Sequence, residues 1–156
     1  MSSTQNKSAT RPNPLRLVSH MLAALFNSRS AFLQQWRRYE PSIEKPDGIA
    51  GRWVGEWVSE SNGHHGELKC VLAPVSAGVY RAYFYATFSR FFRVGYATDL
   101  KAESTNGRVC LKGEEDLGPL AGGVYRCEGE ATANEFNCKY SCKYDHGDFH
   151  LRRFTQ

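Results

Sequence analysis

From about residue 49 to the C-terminus the hydrophobic residues fall on every second position, and this period of two constrains the fold more than any other feature. Phe136, Cys138, Tyr140, Cys142 and Tyr144 alternate with Asn137, Lys139, Ser141 and Lys143, as a strand does when one face is buried and the other is wet. Leu68, Cys70 and Leu72 alternate with Glu67, Lys69 and Val71, and Trp53 and Trp57 with Arg52 and Glu56. Turn residues punctuate these runs at Ser61-Asn62-Gly63, Ser76-Ala77-Gly78, Asn106-Gly107, Ala121-Gly122-Gly123 and Asp145-His146-Gly147. The spacing predicts eight strands, near 50–59, 66–74, 79–89, 94–102, 107–113, 122–130, 135–144 and 148–154. A meander of eight short antiparallel strands favours closure into a barrel, because closure removes the edges that recruit other chains. A half-open barrel or a two-sheet sandwich is the alternative within the same mainly β class.

Ahead of this body the period changes. Leu15, Val18, Leu22, Leu25, Phe26, Phe32, Leu33 and Trp36 recur at steps of three, four and seven, and Asn13-Pro14 suits the start of a helix. The organisation expected is a disordered tail over 1–13, a basic amphipathic helix over 14–40, a linker over 41–48 and a β-barrel over 49–156. The weaker helical stretch from Asn27 to Ser30 leaves two shorter helices open.

Charge separates the two parts. Through Tyr39 there are six Lys and Arg and no Asp or Glu, net +6; the remainder has fourteen basic residues against sixteen acidic ones, net −2. The body is therefore not a polyanion binder by charge. Three readings compete for the helix: it docks on the barrel, it lies on an anionic membrane surface, or it is part of a targeting segment. No run reaches the eighteen or so apolar residues that a helical membrane span needs. Five cysteines, Cys70, Cys110, Cys127, Cys138 and Cys142, cannot all pair within one monomer. Reduced thiols in a reducing intracellular compartment are favoured, with one cross-strand pair left open. Peripheral membrane or organelle-targeted locations stay open with the helix.

Gly51-Arg52-Trp53 opens the first strand and Leu151-Arg152-Arg153 closes the last. This pattern resembles the calycin superfamily of lipocalins, fatty-acid-binding proteins and avidins. The resemblance implies that Gly51 and Trp53 sit near the barrel base and that Arg152 or Arg153 crosses the indole, where a guanidinium over an aromatic face contributes about 0.5 to 2 kcal/mol. It also implies an interior ligand.

Candidate chemistry is sparse. Cys138, Cys142, His146 and His150 recur every four residues, but in a strand the two cysteines would lie roughly 13 Å apart at about 3.3 Å per residue, too far for one zinc ion or one disulfide. No metal and no cofactor is expected. His64 and His65 on one turn and Asp145 and His146 on another would form a polar loop site only if the two turns meet at one barrel end. Glu114-Glu115-Asp116 reads as a solvated acidic loop without the spacing of a calcium site. The run from Tyr80 to Tyr96 places aromatics on both faces of a strand, so its outer face should be covered, most simply by the leader helix on Tyr83 and Tyr85; stacking on single-stranded nucleic acid is disfavoured by the charge.

The leading expectation is a non-enzymatic barrel holding a small apolar or amphipathic ligand against Trp57, Leu68, Phe84, Tyr125, Tyr140 and Phe149. The alternative is a filled-barrel interaction module that docks to a membrane surface or a partner protein through residues 14–40 and its outer aromatic face. The oligomeric state is not specified by these residues.

Overall fold

The computed structural model describes residues 28–39, 48–88, 92–119 and 122–155. Its eight strands are β1 (Gly51–Ser59), β2 (His65–Ser76), β3 (Val79–Phe88), β4 (Phe92–Thr105), β5 (Arg108–Asp116), β6 (Val124–Ala131), β7 (Glu135–Ser141) and β8 (His146–Arg153). Each pairs antiparallel with its sequence neighbour, and β8 returns to β1, so the sheet is a closed barrel in simple meander order. Before it, among the described residues, stands one helix, α1 (28–38). The expected tail over 1–13, the first half of the expected helix and nearly all of the expected linker lie outside the described residues.

Among the strand boundaries that differ from the sequence expectation, three have a local reason. β5 continues through Glu114, Glu115 and Asp116 because they pair with Arg126, Tyr125 and Val124 on β6, and Arg126 meets Glu114 at 3.3 Å. The acidic loop is thus a strand end. β7 stops at Ser141, and residues 142–145 make the turn. His146 and Gly147 accordingly belong to β8, closed by the Cys142 N–H donating to the Asp145 carbonyl at 2.8 Å.

Side-chain parity divides the sheet into an inner and an outer face. At the end where the chain enters and leaves, the interior is filled: Trp53, Leu72, Leu100, Leu111 and Phe136 have no exposed surface, and Trp53 meets Phe136 edge-on at 5.9 Å between centroids. Gly51 is required there, since its φ of 122° is a conformation that residues with a Cβ rarely adopt. The Trp53 indole donates to the Ile49 carbonyl at 3.1 Å. Over its face lies Arg153, with Cζ 4.5 Å from the ring centroid. Arg153 also donates to the backbone carbonyls of Ala133, Ala50 and Gly48, the latter two at 2.8 and 2.7 Å. Of the two arginines left open by the sequence, Arg153 is the one on the indole; Arg152 is exposed.

The cysteines depart from the favoured reduced state. Cys127 and Cys138 form a disulfide across β6 and β7, with 6.3 Å between Cα atoms. Their positions are diagonal neighbours, since Cys127 opposes Tyr140 and Cys138 opposes Gly129. Cys70, Cys110 and Cys142 are free thiols, and burial pushes the Cys70 thiol well above its ordinary pKa.

Helix α1 covers part of the outer face. Phe32 and Trp36, one turn apart, point the same way; Phe32 stacks on Tyr85 at 5.0 Å, and Trp36 meets Phe154 at 5.5 Å. Arg52 is buried with its guanidinium 4.8 Å from the Trp36 ring centroid. Tyr39 follows the helix among Arg38, Tyr83 and Tyr80, where burial raises its pKa. This contact explains why Val71, on the outward side of β2 between Arg52 and Tyr83 in register, is fully buried. Burying Phe32 alone contributes about 1.5 to 3 kcal/mol.

Candidate ligand-binding site

At the other end of the barrel the same inward rows carry rings that do not fill the space. Phe84 stacks on Tyr96 at 4.9 Å, Tyr96 meets Tyr125 at 6.1 Å, and Tyr125 lies parallel to Tyr140 at 6.3 Å. Tyr140 then stacks on Phe149 at 4.9 Å, and Phe149 returns to Phe84 at 5.4 Å. Five aromatic residues from five strands thus form a closed circuit.

Within this end is a cavity of about 200 Å3. Trp57, Tyr96, Tyr125, Tyr140 and Phe149 give it aromatic walls, Leu68, Ala86, Val94 and Leu117 add apolar surface, and Asp145 is the one carboxylate among the described residues that line it. Five of the six residues expected to line an interior ligand are therefore on the cavity wall. Phe84 is not: it is fully buried and belongs to the aromatic circuit. Local backbone makes room for Trp57. Its indole donates to the Thr87 carbonyl at 3.2 Å across Gly66, where a Cβ would fall 2.0 Å from that carbonyl oxygen and 2.8 Å from the indole nitrogen.

The polar side of the cavity is organised by the turn after β7. Asp145 Oδ1 accepts the Ser59 hydroxyl at 2.6 Å, and Oδ2 accepts the Tyr140 hydroxyl at 3.0 Å. Burial first, then the hydrogen bond to Asp145, holds the Tyr140 phenol protonated well beyond its ordinary range. Tyr125 is shifted the same way by burial and by its contact with Cys142. Tyr96 is shifted upward by burial, with Cys70, Tyr125 and Tyr140 adding to the effect. All three phenols are consequently neutral hydrogen-bonding groups at the site.

The two histidine-bearing turns do meet at this end, but only in part. The Glu60 N–H donates to the His146 carbonyl at 2.8 Å, and His146 Nδ1 lies 2.9 Å from the Ser61 hydroxyl. His146 Nε2 stands 3.5 Å from Glu60. His64 and His65 are exposed, and among the described residues neither side chain contacts Asp145 or His146. The Ser61, His146 and Glu60 chain has the residue types of a hydrolytic triad, yet it lies in open solvent on the outside of the turns. It lacks the water-excluded, preorganised surroundings that make such a triad effective.

A broader groove of about 670 Å3 crosses the outer face of β1, β2, β7 and β8. Its rim residues Glu56, Glu67, Glu135, His150 and Arg152 are exposed, which marks it as a solvated sheet face. Sequence reasoning put Ala86 on an inward row but missed Val94, Tyr96 and Leu117 as wall residues. The signal for Val94 and Tyr96 is the continued alternation through Thr98 and Leu100 on β4, obscured by the unusual density of aromatics before it. No protein family model, curated protein or solved structure matches the chain.

Proposed function

We propose that this chain is a calycin-like carrier that holds a small apolar or amphipathic molecule in one half of its barrel and performs no chemistry on it. The aromatic-walled cavity beneath Asp145 carries this reading. An apolar cavity of roughly 150 Å3 is enough to take up benzene, so the space here suits a single ring or a short branched chain rather than a long acyl tail. Kinship with the calycins is supported by the positive φ of Gly51 and by Arg153 stacked on Trp53.

Native mass spectrometry of the full-length protein, compared with the denatured sample, tests the proposal together with titration of Trp57 emission by benzyl alcohol. Retained small-molecule mass or a saturable emission change, lost in Ala86→Phe, is the expected result. A bare mass with no saturable response would overturn the reading.

The interaction-module alternative draws on Arg29, Arg37, Arg38 and Leu33, which are exposed on α1. It draws less on the outer aromatic face, because Tyr85 is already occupied by Phe32.

A further inference from the structure

The cavity wall has an electrostatic sign. Aromatic faces carry partial negative charge, and a cation within about 6 Å of such a face is attracted to it. Among the described residues five aromatics line the cavity, the only charged side chain on its wall is Asp145, and no Lys, Arg or His lines it. Among the described residues Asp145 forms no ion pair. Its neighbour Lys143 lies over the Tyr144 ring at 5.3 Å, and His146 is directed at Ser61 and Glu60.

Asp145 is also held in place. Ser59, itself buried, and Tyr140 each donate one hydrogen bond to a different carboxylate oxygen. A carboxylate offers about four acceptor sites, so two remain for a ligand after these are used. An oriented carboxylate on an otherwise apolar, aromatic wall attracts positive charge, and it repels an acid.

We infer that the cavity selects a small organic cation, a primary or alkylated ammonium on a single ring or short chain, with its nitrogen at Asp145 and its apolar part against Trp57, Tyr96 and Phe149. This rests on the carrier reading above and narrows it to a ligand class. Long-chain acids are excluded by the same geometry, through both size and charge.

The experiment uses three ligands of nearly one shape on the full chain at pH 7: benzylammonium, benzyl alcohol and benzoate, each titrated by calorimetry. Benzylammonium is expected to bind about tenfold more tightly than benzyl alcohol, a difference of about 1.4 kcal/mol, with benzoate weakest. Asp145→Asn should bring benzylammonium down to the level of benzyl alcohol. Equal binding of the ammonium and the alcohol, or preference for benzoate, would overturn the cation assignment while leaving a carrier in place. No binding by any of the three would remove both. The wild-type comparison decides the matter even if Asp145→Asn does not fold.

Discussion

The two ends of this barrel are made from the same alternating strands and finished in opposite ways. At the base, Trp53, Leu72, Leu100, Leu111 and Phe136 close the interior with no exposed surface, under an arginine that ties three carbonyls together. At the mouth, aromatic side chains surround about 200 Å3 that they do not fill. The difference teaches a division of labour: the base supplies stability, and the mouth gives some of it up to keep a shaped space.

The division can be broken most directly at the base. Trp53→Ala should destabilise the protein by about 4 kcal/mol, from lost burial, the cavity left behind and an arginine without its stacking face. Urea denaturation measures it, and a loss below about 2 kcal/mol would show that the base is not where stability resides.

Arg153→Met tests the same end with a smaller effect, about 2 kcal/mol, from the lost stacking on Trp53 and the part-buried Ala50 carbonyl left short of a donor. The exposed Arg152→Met should stay within about 0.5 kcal/mol. Similar losses for the two substitutions would contradict the assignment of Arg153 to the indole.

The mouth should reveal itself in alkali. Tyr96, Tyr125 and Tyr140 have folded-state pKa values raised above those of the unfolded chain, chiefly by burial. Their stabilising effect is complete below the unfolded value near pH 10 and is lost as pH climbs from there toward the folded values. Each phenol adds up to about 1.4 kcal/mol per pH unit to the fall in stability across that window. A Tyr125→Phe and Tyr140→Phe double variant should therefore lose stability less steeply above pH 10, followed by denaturant midpoints. An unchanged slope would mean that these rings ionise as freely in the folded protein as in the unfolded one.

How much of this was legible in the sequence depends on parity and register. Parity is local, so the eight strands and the inward row of Trp53 and Trp57 follow from alternation. It could also have chosen between the two arginines, because Phe149, Leu151 and Arg153 share one face of β8. Register is not local. The Cys127–Cys138 bond requires knowing that Ala131 opposes Phe136 across a short turn, and strand spacing alone addressed only Cys138 and Cys142. The site lies between these cases. Most of its wall was visible as inward aromatics, whereas the position of Asp145 over that wall depends on β7 ending at Ser141, and turn residues do not fix that boundary to one position.

The tie from Arg153 to Ala50 joins residues 103 positions apart in the chain, while the β6–β7 disulfide spans a separation of only 11. Non-local pairing of this kind slows folding, because the entropy of closing the long loop must be met before its contacts form. Hairpins such as β6–β7 can assemble on their own, but the β1–β8 seam has to wait for both ends of the body to arrive. The part of the molecule that is most tightly packed once made is, on this topology, the part completed last.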